Sequence, residues 1–420
     1  MIYEEFDPSL DEAIQLATPE FGSNLKRRFT NVGVSQSMRN CKNGCTPTKL
    51  EDTFIRDGQN RIQLKNIEIA DALVSRMNEI IPNLKERHLR ISADWYNITL
   101  KGTYQMFNTS QMKLLPVIST GDFVISIEDT VAHGVVGFTT AGEALQATNF
   151  DIEYDAENVS VEVEYFNNLK NAKERNCIKD QEIGNTIAKH IRNDLYLKLE
   201  ESLRKNLNEV LMDYNLMEIF NDNAEISNKY RNMVGSSERV TNTFVDKVLA
   251  EVNKRNRISI NLPSISESGF VAQTGKLAHL QTLCRRRNFS KIINKQNGYV
   301  TLFGEIELGK CLVTYEYWSF WILHGFLKAE ATNNRMRLRL TTTTSNFLRA
   351  ELIFNDAHLR VLTFGNLELD VSGMGIFNWI EEQIRAVLNN AFKTDVTRNL
   401  GDKLRKSFQQ FVQGSPKKRQ

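Results

Sequence analysis

The feature of this sequence that most limits its fold is a series of apolar residues at every fourth position in one segment. The series consists of Ile183, Ile187, Ile191, Leu195, Leu199, Leu203, Leu207 and Leu211. This spacing predicts a long helix over residues 180–214. Four residues turn a helix by about 400°, so the apolar line advances by about 40° at each step and winds around the helix. A strongly twisted antiparallel sheet can follow such a line, so the pattern favours a helix inside a curled sheet over a straight pair of helices.

We expect the same order of elements twice along the chain. In the first half, a helix over residues 66–81 ends at Pro82, alternating apolar residues from Leu89 to Phe166 predict an antiparallel meander, and the long helix follows. In the second half, we expect a helix over 237–255, an irregular or partly helical segment over 258–290, strands over 299–369 and a second long helix over 376–412. The predicted fold class is α+β, with two tandem modules that each wrap a strongly twisted antiparallel sheet around a long amphipathic helix.

The expected domain boundaries follow from these elements. Residues 1–60 form an N-terminal extension with a short amphipathic start and an irregular remainder, 61–215 the first module, 216–237 a polar linker, 238–414 the second module and 415–420 a basic tail. Cys41 and Cys45 enclose a Lys-Asn-Gly turn, which either closes a small disulfide loop or leaves two surface thiols. The acidic first residues lack the basic and apolar regions of a secretory signal.

Charge and motifs exclude several classes of protein. The 53 Lys and Arg residues balance 51 Asp and Glu residues, so we expect no nucleic-acid partner. The 6 histidines form no metal-binding motif, and the sequence has neither a serine-hydrolase elbow nor a phosphate-binding loop. We therefore expect a protein that is not an enzyme and has no catalytic residue, metal or cofactor. Basic clusters at 285–287 and 417–419 are either solvated surface or points of weak contact with a membrane surface.

Residues 315–326, with the sequence YEYWSFWILHGF, form the densest apolar stretch. Read as one strand, this stretch is apolar on both faces, with Tyr315, Tyr317 and Trp321 on one face and Trp318 and His324 on the other. A strand of this kind must be covered on both sides or must present a patch to a partner. One side is expected to meet the long helix. The other lines a ligand cavity, packs between modules or touches a membrane interface.

Residues 359–413 resemble a known family. Their strand, their Val371-Ser-Gly-Met-Gly-Ile376 turn and their long amphipathic helix with a basic, Phe-containing end are similar to the C-terminal part of the group 7 mite allergens. That family belongs to the tubular lipid-binding superfamily, together with bactericidal/permeability-increasing protein and the takeout and juvenile-hormone-binding proteins. The segments Asn97–Gly102 and Gly121–Ser126 resemble strands of its N-terminal half. Single-module members are about half as long as this chain, so the resemblance implies a tandem pair.

The resemblance implies a secreted protein that binds or carries a hydrophobic ligand, such as a lipid, fatty acid, sterol or terpenoid hormone, between helix and sheet. The residues expected to line this apolar tunnel are Leu195, Leu199, Leu203, Leu207, Trp321, Leu338, Leu340, Ile376, Trp379, Ile380, Ile384 and Leu388. The alternative is that these side chains fill solid modules and that the protein is an extracellular structural or interaction protein without a ligand. The sequence does not separate a filled interior from a hollow one, and it identifies no protein partner.

Overall fold

The structure is a computed structural model. It describes residues 7–42, 47–57, 60–70, 73, 75–108, 117–163, 181–255, 259–262, 264–267, 270–319, 323–349, 351–353, 355–363, 367–371, 396, 398 and 400–402. The fold is α+β with large antiparallel sheets, as the sequence predicts. The helices are α1 (Pro8–Lys42), α2 (Gln181–Met212), α3 (Leu216–Ile219), α4 (Ala224–Arg255) and α5 (Thr344–Leu348). Among the helices described, none combines the length and the hydropathy that a membrane-spanning helix requires.

The first half contains one eight-stranded antiparallel sheet. Its strands are β1 (Thr48–Lys49), β2 (Thr53–Asp57), β3 (Asn60–Ile69), β4 (Arg76–Asn83), β5 (His88–Trp95), β6 (Ile98–Asn108), β7 (Val117–Ala141) and β8 (Ala144–Val163). The strand order is β1-β3-β6-β7-β5-β4, with β2 added beside β3 and β8 beside β7. The predicted antiparallel pairing is therefore present and begins earlier in the chain than expected, but the strand order is not that of a meander, because β3 pairs with β6 and β5 pairs with β7.

Helix α2 confirms the helix predicted from the four-residue spacing. It runs over Gln181–Met212 and packs on β8. All eight residues of the apolar line are buried, from Ile183 at 9% exposed to Leu211 at 0%. They belong to a first core, a single cluster of buried apolar side chains that joins α2, the eight-stranded sheet and α1.

The helix predicted over residues 66–81 is wrong, because this segment contains the end of β3 and most of β4. Pro82 does not end a helix but pairs with Leu89 inside the β4–β5 hairpin. The register shifts between Lys65 and Glu68 in β3, and again between Met77 and Glu79 in β4. Each bulge adds one residue, so consecutive buried positions lie three apart instead of two. Two bulged strands thus imitate the spacing of a helix.

Residues 1–60 do not form a mostly irregular extension, since the 35-residue helix α1 occupies most of this segment. Asp7 caps the helix by accepting hydrogen bonds from the backbone N–H groups of Ser9 and Leu10 at 3.0 and 3.3 Å. Its buried side chains, Leu10, Ile14, Phe21, Leu25 and Phe29, belong to the first core. The proposed Cys41–Cys45 disulfide includes a residue outside the described part of the chain.

The predicted linker over residues 216–237 is helical, because α3 and the beginning of α4 occupy it. Ile226, Tyr230 and Val234 on α4 belong to the first core. Phe244 and Val248, further along the same helix, belong to a second core, a separate cluster of buried apolar side chains. Helix α4 therefore begins well before the expected residue 237 and connects the two cores as one continuous element.

The second half contains two antiparallel sheets. Its strands are β9 (Ile260–Asn261), β10 (Ile265–Glu267), β11 (Phe270–Ala278), β12 (Leu283–Arg285), β13 (Ser290–Asn294), β14 (Tyr299–Leu308), β15 (Cys311–Ser319), β16 (Leu323–Ala331), β17 (Asn334–Thr343), β18 (Asp356–Thr363) and β19 (Leu367–Val371). One sheet has the order β10-β11-β15-β16-β19 with β9 beside β11, and the other has the order β12-β14-β17-β18 with β13 beside β14. The segment 258–290 thus contains short strands and not the irregular or helical structure expected.

The aromatic stretch at 315–326 forms parts of two strands and not one. Trp318 at the end of β15 pairs with His324 near the start of β16. Tyr315 and Tyr317 are buried in the second core, whereas Trp318 and Phe326 are 39% and 61% exposed. Most of the predicted second long helix lies outside the described residues. Residues 398 and 400–402 are helical, and Val396 and Leu400 are buried in the second core.

The two halves meet through a cluster of charged side chains, which we call the charged cluster: Glu200 and Arg204 on α2, Glu305 on β14 and Arg337 on β17. Arg337 donates to Glu200 Oε1 at 2.5 Å. Arg204 donates to Glu305 Oε1 at 3.1 Å and lies 3.4 Å from Glu200 Oε1. Since α2 belongs to the first core and both strands contribute to the second, these ion pairs fix one half against the other.

Candidate functional site

The structure places the described lining residues in two separate clusters. Leu195, Leu199, Leu203 and Leu207 lie on α2 in the first core, and Leu338 and Leu340 lie on β17 in the second. Trp321, Ile376, Trp379, Ile380, Ile384 and Leu388 lie outside the residues whose side chains are described. The described members of the predicted lining are therefore divided between the first and the second half of the chain.

The four leucines of α2 are enclosed by other side chains. Each of them is 0% exposed, so no water-sized space borders these side chains. Next to them, Tyr196 of α2 stacks on Tyr154 of β8 with ring centroids 4.8 Å apart, and Tyr154 in turn contacts Trp95 of β5. Burial raises the pKa of the Tyr154 phenol well above its ordinary value. Helix and sheet are thus in direct contact along this part of α2.

A pocket of about 490 Å³ lies elsewhere in the first half, between α1 and the β4–β5 hairpin; we call it the α1 pocket. Its volume is within the range of about 300–1,000 Å³ that is typical of small-molecule sites. Helix α1 contributes Asp11, Ile14, Gln15, Thr18 and Pro19, and the hairpin contributes Ile81, Pro82, Asn83, Lys85, His88 and Arg90. The five positions on α1 recur at helical spacing, so they form one face of the helix.

The apolar wall of the α1 pocket is formed by Ile14, Pro82 and Ile81. Ile14 is 4% exposed and belongs to the first core, while Ile81 is 46% exposed. Gly22 on α1 allows the helix to approach the strand closely, because a Cβ atom there would lie 2.8 Å from Pro82 Cδ. Helix and strand are therefore in tight contact beside the pocket.

The polar wall contains four ionisable groups. Lys85 donates to both carboxylate oxygens of Asp11 at 2.7 Å, which connects α1 to the turn of the hairpin. Burial, and next the positive charge of Arg90, lower the pKa of His88 to about 4, so this imidazole is neutral at pH 7. Arg90 is exposed and makes no ion pair with any residue that the structure describes. The wall therefore carries a net positive charge at neutral pH.

Sequence reasoning missed the α1 pocket because both of its walls were misassigned. Asp7 followed by Pro8 is a helix-start signal, and it was available in the sequence. On the other side, β4 was interpreted as the end of a helix because of its bulge, whereas β5 lies in the segment that was correctly predicted as strands. Within the described residues, no three His, Cys, Asp or Glu side chains form a group that could hold a metal ion.

Comparison with known proteins gives weak likenesses only. No protein-family model matches the chain, and no curated protein sequence matches it. Among solved structures, Takeout 1 of Epiphyas postvittana is similar over 41% of this chain and 81% of its own, with 12% identity and a TM-score of 0.29. A lipopolysaccharide binding protein is similar over 92% of this chain and 88% of its own, with 10% identity and a TM-score of 0.21. Neither likeness is close enough to assign a function to this chain.

Proposed function

We propose that this protein binds a hydrophobic ligand and carries out no reaction on it. The observation that carries the proposal is the α1 pocket, which combines a ligand-sized volume with an apolar wall and a few polar groups. Burial of an acyl chain stabilises a complex by about 0.8 kcal/mol for each CH₂ group. A chain of modest length can therefore bind there without a charged contact.

The resemblance of residues 359–413 to the tubular lipid-binding superfamily supports the same class of ligand. We infer two tandem modules, with α1 included in the first one because its apolar face belongs to the first core. The boundaries near residues 215 and 238, an extracellular location and the predicted lining residues of α2 and of the second half remain part of this proposal. Partners other than an apolar molecule and a membrane surface are not proposed.

Two measurements test the proposal. Protein purified from cells is extracted with organic solvent, and the extract is expected to contain acyl chains, sterols or terpenoids by mass spectrometry. The delipidated protein is expected to bind an apolar fluorescent probe that a fatty acid displaces. An empty extract together with no probe binding would contradict hydrophobic-ligand binding.

A matched pair of variants locates the site. Ile81→Glu places a carboxylate on the wall of the α1 pocket at a half-exposed position, so the change is expected to weaken probe binding at least about tenfold while the chain stays folded. Leu16→Glu makes the same kind of change on α1 at a position that is 73% exposed and does not line the pocket. It is expected to leave binding unchanged. If Ile81→Glu bound the probe as tightly as Leu16→Glu does, the α1 pocket would be excluded as the site.

The second candidate function is that of an interaction or structural protein with solid modules. The closed packing of Leu195, Leu199, Leu203 and Leu207, each 0% exposed, favours this alternative for the interior of the first half. It predicts an empty extract, no displaceable probe and a stable protein in the complete absence of lipid.

A further inference from the structure

We propose that the α1 pocket selects a ligand with one anionic group at the end of an apolar chain, and that Arg90 binds this group. This inference rests on the proposed function and specifies the chemistry of the ligand. The shared chemistry is that of a single carboxylate or phosphate group attached to a hydrocarbon chain.

The side chains around the α1 pocket leave a net positive charge at neutral pH. Asp11 and Lys85 neutralise each other through contacts of 2.7 Å. His88 is uncharged at pH 7, since burial holds its pKa at about 4. Arg90 is the remaining charge among the residues that line the pocket. A ligand that carries one negative charge therefore makes the site neutral, whereas a cationic ligand meets repulsion.

The apolar and the polar wall of the α1 pocket meet on the β4–β5 hairpin. Ile81 of β4 and Arg90 of β5 are cross-strand partners, so their side chains lie side by side on one face of the hairpin. The guanidinium group of an arginine presents a planar set of donors that fits a carboxylate or phosphate group with two hydrogen bonds. An apolar chain that contacts Ile81 thus has its anionic end within reach of Arg90.

The neutral side chain of Asn83 adds hydrogen-bond donors to the polar wall. Asn83 pairs with His88 across the hairpin, and its side-chain oxygen accepts from the N–H of Glu86 at 2.9 Å. The amide NH₂ group of Asn83 is left as a donor. No carboxylate other than that of Asp11 lines the pocket, and Lys85 holds that one. The polar wall therefore presents hydrogen-bond donors to an anionic head group, and it offers few acceptors to a cationic head group.

The test compares ligands that share a dodecyl chain and differ in the head group. The affinities of dodecanoate, dodecyl phosphate, dodecanol and dodecyltrimethylammonium are measured by displacement of an apolar fluorescent probe from the full-length protein at pH 7, below micellar concentrations. We expect the two anions to bind about fivefold or more tightly than dodecanol, because Arg90 is partly hydrated. The cation is expected to bind more weakly than dodecanol. A preference for only one of the anions would identify the source of the group as a carboxylate or a phosphate.

Two variants assign the selectivity to a residue. Arg90→Gln is expected to reduce the ratio of dodecanoate to dodecanol affinity to about 1. Arg76→Gln changes an exposed arginine of β4 that does not line the pocket, so this control is expected to keep the wild-type ratio.

The outcomes distinguish this inference from the proposed function. Equal affinity of the wild-type protein for dodecanoate and dodecanol would overturn the anionic selectivity and leave hydrophobic-ligand binding intact. A ratio that persists in Arg90→Gln would overturn the assignment to Arg90. If no apolar probe binds to the protein, so that none of the four compounds can displace one, the proposed function itself fails.

Discussion

Replacement of Glu200 by Gln tests the charged cluster that joins the two halves. The Glu200 and Arg337 side chains are only 7% and 8% exposed, and their charged atoms lie 2.5 Å apart. Gln has the same shape and keeps an acceptor oxygen, so the substitution removes the charge with little change in packing. Within the described part of the chain, Arg337 would then have no carboxylate at ion-pair distance.

The size of the effect follows from the charges that remain. Burial, and next the charge of Arg337, lower the pKa of Arg360, which shows that a third arginine lies close to the charged cluster. After Glu200→Gln, Glu305 is the one carboxylate left in the charged cluster, where the positive charges of Arg204, Arg337 and the nearby Arg360 remain. The loss of one partner of a buried ion pair costs about 3–5 kcal/mol, and we expect a value in this range. Arg337→Gln leaves Glu200 beside Arg204 and Arg360, so its cost should be smaller, at about 2 kcal/mol or less.

Thermal unfolding followed by circular dichroism provides the assay. A domain of 150–250 residues loses about 2–4 °C for each kcal/mol, so Glu200→Gln should lower the Tm by about 6 °C or more. Amide exchange in α2 and β17 should accelerate by about two orders of magnitude, since about 1.4 kcal/mol corresponds to a factor of ten. A Tm within about 2 °C of the wild type, or a larger loss in Arg337→Gln than in Glu200→Gln, would refute the reasoning.

Three further predictions concern single residues. The pKa of His88 is lowered from 6.5 to about 4, so between these two pH values the unfolded chain binds more protons than the folded protein. The free energy of unfolding should therefore fall by about 3 kcal/mol as the pH drops through this range. Denaturant titrations of His88→Gln should not show this loss. Tyr230→Phe removes a buried donor to the Leu84 carbonyl at 2.9 Å and should cost about 1–3 kcal/mol by urea denaturation. Gly134→Ala places a Cβ atom 2.2 Å from the Asp151 carbonyl oxygen and should lower the Tm measurably, whereas Gly235→Ala, which meets nothing within 4 Å on helix α4, should raise it slightly.

The sequence predicted those elements whose apolar spacing is uninterrupted. The line from Ile183 to Leu211 predicted a helix over 180–214, and α2 occupies Gln181–Met212. The alternation of Phe123, Ile125 and Ile127 predicted a strand, and all three residues are buried in β7. In both cases the side chains contact one continuous surface, so the period of the element is visible in the sequence without any knowledge of the partner.

The failures have an equally physical origin. In β3, Leu64 and Ile67 are both buried although they lie three residues apart, because a bulge near Asn66, which has a φ of 52°, adds one residue between them. A bulge is a property of the pairing of two strands, and single-sequence periodicity contains no information about it. In α1, Leu10 and Ile14 lie four residues apart, as do Phe21, Leu25 and Phe29, but Pro19 stands between the two runs. A proline inside a segment usually indicates that a helix ends there, so the sequence indicates only a short helical start.

The sequence also could not decide where an apolar ligand would bind, and the energetics of packing now favour one location. Along α2, a ligand would have to displace leucines such as Leu199 that are 0% exposed. The truncation of such a side chain costs about 2–5 kcal/mol, so the lost contacts would offset several CH₂ groups of ligand at about 0.8 kcal/mol each. In the α1 pocket the space already exists, and Ile81 is 46% exposed before any ligand arrives. A ligand there gains the burial of its own surface and that of Ile81 without breaking the first core. We therefore expect an apolar ligand to bind in the α1 pocket and not along α2, even though the helix with the longer apolar stripe is α2.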